Sequence, residues 1–329
     1  MRAYDVQSLQ QVISLKKTIP FIFIGILFFF LLFFPQISLE ASKIGLLLWF
    51  DTVLPTLLPF LVLSQLVLKT SYIHYFQKFL GPVFKKVFHC TEAGSFCAIC
   101  GFLCGYPVGA RLISLQMQDG ILDQEEGQYL LSFCNNISPM FCISFGILHA
   151  IGSENILIYL LIIYGSALLF GFLTRPTEKQ RSTSETKKQT SSAKNIFQLI
   201  DVCIIDSFLI LIKLCGYLIL FSIISHGILY FLPKHNLYLN AIITAFLEIT
   251  NGLSHIAKLT SGILRSAFGV VALSFGGLCC ILQTSSVISD TTLSLRKYII
   301  HKAIIACIAL ILFFCFYFCS SFFTVNGWC

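Results

Sequence analysis

Long apolar runs recur along this chain with few charges inside them, at residues 19–37, 45–68, 156–173, 204–232 and 299–323. A helix crosses the hydrocarbon core of a bilayer in roughly 20 residues. Inside lipid no water satisfies the backbone N–H and C=O groups, so a spanning segment has to pair its own, as a helix does. Composition agrees: 57% of the residues are hydrophobic and 11% charged, against about 25% charged in a soluble domain. The longest polar stretch, 174–194, is too short to bury a core of its own. The sequence predicts an all-α, polytopic membrane protein.

Four apolar stretches are punctured. Residues 101–112 read GFLCGYPVGARL and residues 130–141 read LLSFCNNISPMF, with a polar turn between them. Farther on, residues 237–259 carry Glu248, Thr250, Asn251 and Gly252, and residues 263–288 carry Gly269, Gly276, Gly277 and Gln283. Irregular backbone at membrane depth is tolerated where it lines a cavity or is buried in protein. Pro139 forces such a break, because it lacks an N–H and clashes with the carbonyl of Asn135 one turn back. The chain is therefore expected to be organised around residues 101–141, with a second half of the same site over 245–286.

Charge sets the expected topology. Lys16 and Lys17 precede a first span at 19–37, read as an uncleaved anchor with a cytoplasmic N-terminus; a signal peptide is the alternative. Basic residues gather again at Lys69, Lys78, Lys85 and Lys86, within 175–194, and at Arg296, Lys297, His301 and Lys302. Such clusters favour the cytoplasmic side. They reach it together if residues 93–112 dip into the membrane and return. A re-entrant element is expected there, and residues 75–89 are expected along the membrane surface. The net charge of +7 follows from this topology and implies no nucleic-acid partner. The fourteen cysteines lie mostly in apolar runs and read as small packing residues. Cys97, Cys100 and Cys104 have a metal-like spacing but no nearby histidine, and no metal is expected.

The two halves share an order of features. Asp51 heads a span, followed by Gly101-Phe-Leu and Leu131-Ser-Phe; Asp206 heads another, followed by Ala245-Phe-Leu and Leu273-Ser-Phe. The expected organisation is an N-terminal segment with a first span (1–43), a first membrane repeat (44–173), a polar cytoplasmic linker (174–195) and a second membrane repeat (196–329). The repeats are expected to be inverted, each with a re-entrant or broken helical element. That layout is common among secondary transporters, which bind solutes near the midplane. A pseudo-symmetric structural protein is the alternative.

No phosphate-binding loop, His-Glu-x-x-His or Gly-x-Ser-x-Gly pattern is present, so no catalytic residue and no cofactor is expected. Gly105, Tyr106, Pro107 and Gly109 make a turn where backbone amides can approach a ligand. Arg111 follows, either to pair with a carboxylate or to snorkel to the interface. Asn135, Asn136 and Ser138 are placed to hydrogen-bond a polar solute or to join helices. Gln283, Thr284 and Ser285 hold the corresponding place in the second half. Glu248, with Thr250 and Asn251, either binds a coupling ion or shapes the site, since an embedded carboxylate is costly. Asp206 and Lys213 share a helix face and are expected to pair with each other or the interface. His149, His226 and His255 read as structural.

Taken together, GFLCGYPVGARL, the Asp119-Gly120 turn, LLSFCNNISPMF, FLEITNG and SFGGLCCILQTSS resemble the sporulation integral membrane protein family YlbJ (SpoVV). That family lies within the wider nucleoside-recognition or Gate families, related to concentrative nucleoside transporters. The resemblance covers residues 44–323. It implies a protein of the outer forespore membrane that moves a small organic anion, dipicolinic acid. A nucleoside-like solute and a non-transporting assembly role in the spore envelope are the alternatives. The implied partners are the anionic solute, a coupling cation and the bilayer; the oligomeric state is left open.

Overall fold

The computed structural model describes residues 21–22, 24–70, 73–176, 196–232 and 236–325. Regular structure among them is helical throughout. Six described stretches are long and apolar enough to cross a membrane: Pro35–Val67, Gln124–Ile151, Ile156–Leu173, Ile196–Phe231, Ile263–Ile288 and Leu295–Cys319.

A short apolar helix, α1 (Ile24–Phe33), leads into α2 (Pro35–Leu48). The first span expected at 19–37 is broken at Phe34, whose backbone leaves the helical region (φ −125°, ψ 57°). A residue ahead of a proline is pushed out of the α region, and Pro35 follows. Residues 38–43, expected between two spans, are helical within α2. The leading lysines lie outside the described residues. A wide, π-type turn at Trp49–Val53 joins α2 to α3 (Leu54–Lys69). Pro55 cannot donate to the carbonyl one turn back, and the helix widens just ahead of it.

Helix α4 (Ile73–Phe88) turns by 99° into α5 (Glu92–Cys104), which is followed by α6 (Val108–Gln118). Next come α7 (Gln124–Cys134) and α8 (Pro139–Phe141), the latter continuing as a π-helical stretch, Cys142–Ile151. Helix α9 (Ile156–Leu173) closes the first half. The second half consists of a long helix α10 (Ile196–Phe231), a pair α11 (Leu237–Leu247) and α12 (Ile249–Ile256), a broken span α13 (Ile263–Phe275) and α14 (Gly277–Ile288), and α15 (Leu295–Val325). The linker expected over 174–195 lies, beyond Pro176, outside the described residues.

The contacts define two ends. At one, Gln128 Oε1 accepts from Ser294 N (2.6 Å), His89 Nδ1 bonds Pro176 O (2.8 Å) and Arg175 donates to Val87 O (3.2 Å). Both arms of the α5–α6 pair meet the first turns of α7 at this basic end. Thr91 N donates to Glu126 Oε1 (2.7 Å), and Gly127 leaves room for the Met117 side chain. The pair therefore enters and leaves at one end. The start of α11 and the end of α12 likewise meet, Tyr238 Oη lying 3.4 Å from Thr260 Oγ1, and α13 begins beside them at the far end of the α7–α8 span, where Arg265 Nε donates to Ala150 O at 2.7 Å.

Outward-facing side chains such as Phe197, Phe231, Leu157 and Ile311 are exposed and apolar, as a lipid-facing surface requires. Inside, Phe133 stacks on Phe88 and packs against Tyr129 and Phe102, with ring centroids 5.0–6.1 Å apart. The α2–α10 contact depends on Gly45: a Cβ there would meet Ser222 Oγ at 2.9 Å and the Ile219 backbone at 3.0 Å. The interior also buries polar groups, among them Asn135, Asn136, Glu248, Asn251, Gln283, Thr284 and Lys302.

Candidate functional site

Helix α5 stops at Gly105, whose φ of +79° is a conformation open chiefly to glycine. The Tyr106–Pro107 peptide is cis. This tip inserts into the break between α7 and α8. Tyr106 N donates to Asn136 O at 2.6 Å, and Ala110 N to Asn135 Oδ1 at 3.3 Å. A Cβ on Gly105 would lie 2.5 Å from Ser138 N, so the two backbones touch. Ser138, extended ahead of Pro139, caps α8 by accepting from Phe141 N at 3.4 Å.

The second half builds the same joint from other residues. Glu248 is extended (φ −147°, ψ 122°), and its carboxylate caps α12 by accepting from Thr250 N and Asn251 N, each at 2.8 Å. This tip sits against the α13–α14 break, where Gly276 has φ +89°. A Cβ on Gly277 would meet Ala245 O at 3.0 Å. Helices α6, α8, α12 and α14 thus begin inside the protein. Their first N–H groups, the positive ends of the helix dipoles, face the interior.

Two cavities meet at this junction. A small one, of about 50 Å³, is walled mainly by apolar side chains, among them Val53, Leu57, Ile137, Phe141 and Leu214, with Tyr106, Ser138, Glu248, Thr250, Cys280 and Gln283 also lining it. The Tyr106 hydroxyl is buried there with no hydrogen bond of good geometry, the Cys280 thiol being its polar neighbour. A larger cavity, of about 490 Å³, lies toward the basic end and is lined by Pro107, Gln116 and Gln283 and by charges of both signs, Lys69, Arg111 and Lys213 with Asp119, Asp206 and Asp290. Its volume falls in the range of small-molecule sites. Gln283 and Leu214 line both cavities and form the partition between them.

The expected site residues divide accordingly. Tyr106, Ser138, Glu248, Thr250 and Gln283 surround the small cavity, while Pro107 and Arg111 face the large one. Asn135 is consumed by protein partners: its Nδ2 donates to Thr284 Oγ1 and Tyr298 Oη, each at 3.0 Å, and its Oδ1 accepts from Ala110. Asn136 donates to Phe133 O at 2.6 Å and accepts from Lys302 Nζ at 3.0 Å. Asn251 donates to Ser222 Oγ at 2.8 Å. These amides join helices. Gly109 packs against Gly101 within the α5–α6 pair, and Ser285 lines neither cavity. Both Glu248 oxygens turn back on their own helix.

Asp206 pairs with Lys69, at 2.8 Å, and not with Lys213; all three line the large cavity. Both partners of the pair are more than a third exposed, so the pair adds little. Asp206→Asn is expected to change stability by less than about 1 kcal/mol in thermal unfolding. A larger loss would show that the pair holds α3 to α10.

Lys302 departs most from expectation. Grouped by sequence with the cytoplasmic cluster, it is instead fully buried. The signal was there: Tyr298, Lys302, Ile305, Ala309 and Phe313 follow helical spacing and form the buried stripe of α15. Tyr298 and Ser222, partners of the site asparagines, were missed as well.

Residues 50–169 match the nucleoside recognition family, Gate. The chain is also similar to the sporulation integral membrane protein YlbJ of Bacillus subtilis (strain 168), 23% identical over 306 residues, which covers 82% of this chain and 74% of that protein. No solved structure matches.

Proposed function

We propose that this protein is a multi-pass transporter of a small organic anion of the dipicolinate class, working in the outer forespore membrane during sporulation. The observation that carries the reading is the junction itself. Two broken pairs, entering from opposite ends, meet at a small, mainly apolar cavity with a few polar groups, which adjoins a larger one containing Arg111. Inward-facing helix N-termini suit an anion. The shared order of elements and the opposed entry of α5–α6 and α11–α12 support an inverted repeat, with alternating access switching the end to which the small cavity opens. Similarity to a sporulation membrane protein supports the setting.

The test is uptake of labelled dipicolinate into vesicles containing the purified protein. Uptake above that of empty vesicles is expected. Arg111→Gln should slow it by about tenfold or more, because a charge-assisted hydrogen bond is worth about 1.5–3 kcal/mol. Folded protein that takes up no dipicolinate overturns the reading. Nucleoside uptake in its place would move the substrate toward the name of the family matched by residues 50–169.

A further inference from the structure

Lys302 sits on the closing helix of the second half, yet its ammonium reaches the α7–α8 break of the first. Nζ lies 3.0 Å from Asn136 Oδ1 and 3.4 Å from Asn135 O. Among the described residues the ion pair found is Lys69–Asp206, so no carboxylate stands within ion-pair distance of Lys302. What faces it is the carbonyl end of α7. A helix leaves its last carbonyls without intrahelical partners, and its C-terminus carries partial negative charge. Two oxygen ligands, one main-chain and one amide, converge on one point at a helix C-terminus within the protein. The negative end of a helix favours positive charge there, and the Lys302 ammonium supplies it.

The same two asparagines, through their other polar atoms, belong to the joint between the α5–α6 tip and the α7–α8 break. Asn136 O receives the Tyr106 N–H, and Asn135 ties Thr284, Tyr298 and Ala110 together. A group that holds both asparagines therefore sets the α5–α6 tip against the break. Charge buried at membrane depth is costly and calls for a compensating role.

We infer that the Lys302 ammonium is the resident cation of the α7–α8 break, a positioning residue that fills by a covalent tether the place a dissociable alkali ion would otherwise take. The joint then holds its shape without an ion from solution, and transport needs no sodium or potassium at this position. Only that last consequence rests on the transport reading; the fold-level consequence stands apart from it.

The test uses full-length purified protein. Thermal unfolding is followed in choline, sodium, potassium and ethylammonium chlorides at equal ionic strength. Wild type is expected to melt at one temperature in all four. Lys302→Ala should melt several degrees lower in choline and recover part of the loss in sodium or ethylammonium, but not in neutral propanol. If Lys302→Ala does not yield folded protein, Lys302→Arg and Lys302→Gln replace it, the arginine variant staying near wild type and the glutamine variant falling. The inference is overturned if Lys302→Met melts with wild type, if propanol rescues as well as ethylammonium, or if wild type itself is stabilised by one alkali ion. Vesicle uptake by wild type, equal in sodium, potassium and choline, is the second arm. Absence of uptake in every salt would sink the transport reading and leave the melting result to decide the role of Lys302.

Discussion

Gly252→Ala is expected to yield roughly a tenth or less of the wild-type amount of folded protein by size-exclusion chromatography. The α-hydrogen of Gly252 faces α11 across the α11–α12 pair, and an added Cβ would fall onto the backbone and Cβ of Ala245. Those are main-chain atoms of a packed helix and cannot swing aside as a flexible side chain would. The arms would have to part, pulling the Glu248 tip away from Gly277, itself within contact of the Ala245 carbonyl. Losses beyond about 4 kcal/mol come from a short list of causes, forced overpacking among them. Gly101→Ala should behave alike in the first half, its Cβ lying 2.5 Å from the Cys134 carbonyl oxygen. Gly165 and Gly216 have open space where a Cβ would go. Alanine at either should be neutral, or add roughly 0.5–1 kcal/mol through helix propensity. Wild-type yield and melting temperature for Gly252→Ala would show that the two arms do not pack as described.

What could be read from the sequence was local. The spans at Ile156–Leu173 and Ile263–Ile288 have the bounds expected of them, because long apolar runs ended by polar residues fix a membrane helix with little help from neighbours. The breaks at Tyr106, Ser138, Glu248 and Gly276 were legible for the same reason: proline, glycine and a capping side chain act within a few residues. What escaped was pairing at a distance. Asp206 lies 137 residues from its partner Lys69, whereas Lys213, the expected partner, is two turns away on the same helix. Lys302 lies 166 residues from Asn136. Counting loop charges assigned it to the cytoplasmic cluster, since the count ignores how a helix is rotated about its axis. The asparagines were rightly singled out as interrupting a span. Whether their amides face a solute or other helices depends on packing that neither composition nor spacing records.

Glu248→Ala is expected to cost both folding and transport. The carboxylate accepts two backbone N–H bonds at 2.8 Å and is 1% exposed. Removing it leaves two buried N–H groups without a partner, each at a cost of about 1–3 kcal/mol. The combined loss of several kcal/mol is a large part of the stability of most domains. Glu248→Gln separates the two roles in part. Its amide keeps one acceptor and turns a donor toward the second N–H, so one bond is kept and one lost, for about 1–3 kcal/mol. Glu248→Asp goes further, because aspartate is a good N-cap but its carboxylate is one methylene shorter. It should recover most of the melting temperature lost in Glu248→Ala while recovering less of the dipicolinate uptake, since the wall of the small cavity is withdrawn. Equal recovery of both would make Glu248 a cap and nothing more. Wild-type melting and uptake in Glu248→Gln would remove the carboxylate from the site altogether. The measurement thus asks whether the helix start that closes the second half of the joint is also a surface the solute meets, a question the small cavity it shares with Tyr106 and Ser138 answers in the affirmative only if uptake falls further than stability.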